Sequence, residues 1–166
     1  MKLIYRELDY YQFDYRHNEN DKEFNDSLSI LYNICENFEQ CGKIFFEVGG
    51  FGQDSWPVDC RFDLLSVIEQ VPDIVRKIRR NQYNFVLDFY EQGIERKIVF
   101  KDNYSNIEMS CESRLGWNPD PKKITMDKEA IKNIFIKLYE DFLLCARSLC
   151  KNLIEQPLLK EWMLSD

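Results

Sequence analysis

The chain is poor in histidine, in long apolar runs and in basic charge on its N-terminal half, and each shortage removes a class of function. His17 is the only histidine among 166 residues. A His-rich zinc site is therefore impossible, and a Cys–His or Ser–His nucleophile pair could draw only on His17. That residue sits in the polar run Arg16-His17-Asn18-Glu19-Asn20-Asp21, which reads as a solvated loop. Cys35, Cys41, Cys60, Cys111, Cys145 and Cys150 include no C-x-x-C pair, so zinc-knuckle and thioredoxin-type motifs are missing. They are expected to be reduced thiols serving as small hydrophobes. The longest apolar runs are about five residues, as at Phe142–Ala146, against the roughly 20 that span a bilayer. Leu3-Ile4-Tyr5 behind Lys2 is too short for the apolar centre of a secretory signal, so the expected location is the cytoplasm. With 29 acids against 22 bases, the net charge is −7 and the pI about 4.9. A general nucleic-acid binder needs a basic face to displace phosphate counterions, and an anionic lipid surface asks for the same.

The phosphate-binding loops are missing too. Gly49-Gly50-Phe51-Gly52 follows a strand pattern, but there is no G-x-G-x-x-G and no Lys-Ser/Thr. Trp56-Pro57 stands where a helix should begin, so the glycines read as a turn. The acidic stretch 14–26 lacks the turn glycine and ligand spacing of a calcium loop.

What is present is the composition of a globular protein, 45% hydrophobic and 31% charged. The length suits one domain spanning 1–166, large enough to fold without a metal or disulfide. Phe24, Leu28, Leu31, Cys35 and Phe38 recur at helical spacing and predict a helix near 22–39. Lys2–Leu8 and Lys43–Val48 read as strands. Apolar residues from Leu64 to Ile78 predict helix near 63–80, with Pro72 as a kink or restart. The period then changes. Alternation begins at Tyr83, and short connections at Glu91-Gln92-Gly93 and Asp102–Ser105 predict an antiparallel meander near 83–112. Ile131, Ile134, Phe135, Leu138, Phe142, Ala146, Leu149 and Leu153 predict a long amphipathic helix near 127–153, and Leu158–Leu164 a short terminal one. The expected fold is α+β, with an antiparallel sheet of about four or five strands and helices mainly on one face.

Charge is unevenly placed. Residues 1–75 carry 15 acids and 6 bases, a net of −9; residues 76–166 carry 14 and 16, a net of +2. Tyr5, Tyr10, Tyr11, Phe13, Tyr15 and Phe24 interleave the acidic stretch, the composition of a specific protein-binding patch. Asp88, Glu91 and Glu95 gather about the first meander turn, and Asp54 and Asp59 flank Trp56-Pro57.

The order Trp56-Pro57-Val58-Asp59, Phe62-Asp63-Leu64-Leu65, Asp88-Phe89-Tyr90-Glu91-Gln92-Gly93, Cys111-Glu112-Ser113, Trp117-Asn118-Pro119 and Pro157-Leu158-Leu159-Lys160-Glu161-Trp162 resembles small bacterial immunity proteins. These are the cytosolic partners of polymorphic toxins, including those of contact-dependent growth inhibition. The resemblance runs from about residue 43 to 164. It implies inhibition without chemistry: tight binding of a cognate toxin domain, many of which are nucleases with basic clefts that an acidic partner matches. On that expectation Tyr10, Tyr11, Asp14, Tyr15, Glu19 and Asp21 form one contact surface, and Asp54, Glu91 and Glu95 a second. Neither enzyme activity nor a cofactor or metal is expected, and the oligomeric state is left open. Two alternatives stand beside this: a carboxylate- or metal-dependent hydrolase using Asp54, Asp59, Asp88 or Glu91, and a structural or adaptor protein that self-assembles through an open sheet face.

Overall fold

Alternating apolar side chains on three consecutive chain segments build the central feature, an antiparallel meander that a fourth strand extends. The computed structural model describes residues 1–6 and 24–164. In chain order its elements are β1 (Lys2–Tyr5), α1 (Ser27–Cys41), β2 (Ile44–Glu47), α2 (Asp63–Ile68), α3 (Val71–Arg79), β3 (Phe85–Phe89), β4 (Arg96–Asn103), β5 (Asn106–Ser113), β6 (Lys123–Asp127), α4 (Lys128–Leu149), the short α5 (Lys151–Ile154) and a 3-10 turn at Pro157–Leu159. Strands β3-β4-β5-β6 lie in sequence order, all antiparallel, and β1 pairs with β2 in a separate two-stranded sheet. The fold is α+β, as the periodicities predict.

Its details depart from the sequence reading in several places. The strands divide into a sheet of four and a sheet of two. The predicted 63–80 helix is two helices, because Pro72 occupies the first turn of α3, where its missing N–H leaves no bond unmade. The terminal segment forms a 3-10 turn in place of a helix. Strand β6 was not predicted: Lys123, Thr125 and Asp127 face outward and Ile124 and Met126 inward, two apolar positions being too few to announce a strand.

Local chemistry sets the helix limits. Asp26 caps α1 by accepting from Ser29 N at 2.8 Å, which moves its start inward from 22 to 27. Gly42, at φ +63°, ends it. Asp127 caps α4 through Ala130 N at 2.7 Å. Ile131, Phe135, Leu138 and Phe142 of α4 are buried, and Phe135 meets Phe85 and Phe100 of the sheet at 5.6 and 5.7 Å between ring centres. Phe142 packs on Phe38 of α1 and on Trp162, so the chain's end does fold back onto the body. The opposite sheet face carries charge, with Lys97–Glu112 at 3.1 Å and Lys123–Glu108 at 2.9 Å. Among the described residues no helix is long and apolar enough to cross a membrane.

Candidate protein-binding surface at the β3–β4 corner

The connection Tyr90–Glu95 between β3 and β4 brings together carboxylates that are far apart in sequence. Asp88, on the outward face of β3, binds Arg114 Nη2 through Oδ2 at 2.6 Å, and that bond holds the guanidinium above its usual range. Glu95 and Glu112 add their charge at Arg114. Glu95 takes φ +42° and its carbonyl accepts from Arg114 N at 2.9 Å, so the corner is closed by backbone as well as by charge. Tyr90, 39% exposed, donates to Glu69 at the end of α2. Burial, then the carboxylates of Glu69, Glu91 and Asp88, push the Tyr90 hydroxyl up, and burial also raises Glu69.

Beneath the corner lies a charge that sequence reasoning missed. Arg96 opens β4 at an inward position and is 4% exposed. Its guanidinium carbon lies 3.6 Å from the Trp117 ring centre and 4.3 Å from that of Trp56. Nε and Nη1 have no hydrogen-bond partner among the described residues, and burial lowers the group's pKa. Asp63, at the start of α2, is also buried. Its Oδ2 accepts from Asp59 N at 3.0 Å while Oδ1 has no partner among the described residues. Burial raises its carboxyl to about 6; Asp59 and Glu91 push the same way, and the hydrogen bond from Asp59 N and the charge of Arg96 oppose them. The signal that could have found Arg96 is its register. The inward positions Ile98 and Phe100 are apolar, so a charge on that face demands compensation, which two tryptophan rings supply.

Of the residues expected at a contact surface, Glu91 and Glu95 are brought together at this corner. Asp54 is exposed in the turn after Gly49 and is not among the charges acting on Asp63, Glu69, Tyr90 or Arg114. Tyr10, Tyr11, Asp14, Tyr15, Glu19 and Asp21 lie outside the described residues, as does His17. Two of the four carboxylates considered for hydrolysis, Asp59 and Asp88, have structural tasks. Asp59 Oδ1 accepts from Phe62 N and Asp63 N at 2.7 and 3.1 Å, and Asp88 is held by Arg114. Among the described residues no three His, Cys, Asp or Glu side chains are placed to hold a metal ion. Burial pushes the thiols of Cys60 and Cys145 up to about 12 and that of Cys111 to about 11.

The corner is thus a half-exposed tyrosine beside Glu69 at the end of α2, Asp88 of β3 and Glu91 of the β3–β4 connection, with Glu95 and Glu112 gathered about the neighbouring Arg114, above Arg96 and its two tryptophans. Comparison with family models, with curated proteins and with solved structures returns no match.

Proposed function

We propose that this chain is an immunity-type inhibitor that binds a basic protein domain, with the β3–β4 corner as part of the contact. The observation that carries the reading is the convergence of Glu69, Asp88, Glu91, Glu95 and Glu112 on Tyr90 and Arg114, from segments spread over more than forty residues. Carboxylates presented around an aromatic anchor suit a partner rich in Lys and Arg. Charge of one sign speeds encounter, and the ring fills a pocket on contact. The resemblance of layout between about 43 and 164 supports the same reading, and the cognate toxin would be a nuclease or another protein with a basic cleft.

The test is co-purification with the protein encoded immediately upstream, at low and high salt. The expected result is a one-to-one complex that weakens with salt and abolishes the partner's toxicity. Reversing Glu91 and Glu95 to Lys together is expected to slow association at least about tenfold and to flatten its salt dependence. Reversal of Asp14, Glu19 and Asp21 tests the other expected surface in the same assay. A complex whose affinity ignores both sets removes the acidic-contact reading, and no complex at either salt removes the immunity reading.

A further inference from the structure

The two edges of the four-stranded sheet are finished differently. In β3 the N–H and C=O of Asp88 point away from β4, and the Gln70 side chain meets both: its Oε1 accepts from Asp88 N at 3.1 Å and its Nε2 donates to Asp88 O at 2.8 Å. One glutamine amide thus imitates a neighbouring strand at the Asp88 position of that edge. Strand β6 has no such cover among the described residues. Cys111 N donates to Lys122 O at 3.1 Å, and in the β5–β6 register Met109 faces Ile124 and Ile107 faces Met126. Hydrogen-bonded pairs alternate along an antiparallel ladder, so the backbone groups of Lys122, Ile124 and Met126 face β5 and those of Lys123 and Thr125 point off the sheet. No backbone group among the described residues meets them, and both side chains are exposed.

We infer that this edge is the contact between two copies of the chain, pairing β6 with β6 antiparallel about Thr125. The strand Lys123-Ile124-Thr125-Met126-Asp127 is complementary to itself when reversed. Thr125 then faces Thr125 of the second copy in a hydrogen-bonded pair, which is the pair type its outward backbone groups require. Lys123 stands opposite Asp127 on the outer face, and Ile124 opposite Met126 on the inner one. Both charged positions recur by symmetry, so the contact sets each Lys123, which already lies 2.9 Å from Glu108 of its own copy, opposite an Asp127 of the other. Asp127 spends Oδ1 on the α4 cap, and Oδ2 accepts nothing among the described residues. Displacing the register by one residue in either direction would bring backbone groups that face β5 against ones that face outward, and displacing it by two loses the Lys–Asp match.

The inner face adds apolar area. Ile124 and Met126 are half-buried and line a crevice of about 90 Å³ with Met1, Phe51, Ile131 and Ile134. A second strand alongside would extend the apolar floor over that crevice with its own Met126 and Ile124. The charged ladder on the outer face, by contrast, is solvated and ion-paired within one copy, so the open sheet face is a poor assembly surface. The result is a sheet of eight strands across the two-fold axis.

The inference is tested by solution mass across a dilution series, together with amide exchange. The native chain is expected to approach twice 20.0 kDa when concentrated, with the Lys123 and Thr125 amides protected there and losing protection on dilution. Thr125→Pro, which deletes an outward N–H and leaves the β5 ladder intact, is expected to keep its spectrum and melting behaviour and to associate at least tenfold more weakly. Thr125→Cys is expected to cross-link to its counterpart on mild oxidation, because the Cα atoms of such a pair lie about 5.5 Å apart, within disulfide reach. The control Tyr104→Cys, at the 94%-exposed β4–β5 turn, is expected to stay uncross-linked. A native chain that remains monomeric at every concentration overturns the inference. So does a dimer in which the Lys123 and Thr125 amides exchange freely, or one that cross-links no faster through position 125 than through 104.

Discussion

Asp63 and Arg96 are the residues at which this fold departs most from ordinary burial, and their chemistry makes two measurable consequences. The Asp63 carboxyl stands at about 6 when folded, against an ordinary 3.8, because burial disfavours its charged form. The folded chain therefore holds that proton more tightly than the unfolded one. Its contribution to stability is present in full below pH 3.8 and is lost as pH rises through about 6. Unfolding by denaturant at a series of pH values should show a loss of about 1 to 3 kcal/mol over that window, and Asp63→Asn should flatten it. An unchanged slope in the variant would assign the effect elsewhere. Arg96 is held by its flat faces, so Arg96→Lys should cost about 2 kcal/mol, since an ammonium cannot lie against both rings. Arg96→Met should match or exceed the native stability, because it removes a buried charge with two unpartnered nitrogens. If Met costs more than Lys, the positive charge itself is required.

Among the elements, the stability of edges and loops rests on a few backbone contacts. Gln70→Ala would leave Asp88 N and O to water, and amide exchange at Asp88 should quicken with a loss of about 1 to 2 kcal/mol. The loop after β2 is fastened to the approach to β6 by Asp120 N, which donates to Phe51 O at 3.1 Å. Gly52 takes φ +84° there, and a Cβ on it would lie 1.7 Å from Asp120 O. Gly52→Ala should therefore cost about 3 kcal/mol or more, whereas Gly42→Ala, at φ +63° with open space around it, should cost about 1. Equal melting temperatures for the two variants would show that the loop gives way without penalty. The elements themselves differ in how openly they were written. Helix α4 was legible because Ile131, Phe135, Leu138, Phe142, Ala146 and Leu149 repeat its period over about five turns, and the meander because short turns separate alternating strands. Strand β6 was not, since only Ile124 and Met126 mark its inward face, too short an alternation to announce a strand.

At the scale of the molecule, the unequal charge of the two halves becomes a matter of place. Acids of the first half, Asp59, Asp63 and Glu69, meet Asp88, Glu91, Glu95 and Glu112 of the second, so the corner is acidic although the second half is net basic along the chain. Composition by itself determined that the chain is acidic and able to build a large core. Period determined the helices α1 and α4 and the meander, because each depends only on neighbours within a few residues. Glu91 and Glu95 could be named beforehand for the same reason: they belong to one turn. The company they keep could not. Glu69 reaches Tyr90 only because α2 packs beside β3, Arg114 reaches Asp88 only across the sheet, and Arg96 is caged by tryptophans forty residues before and twenty-one after it. The tertiary structure decided these contacts, since electrostatic and stacking energies depend on separation in space and are indifferent to separation along the chain.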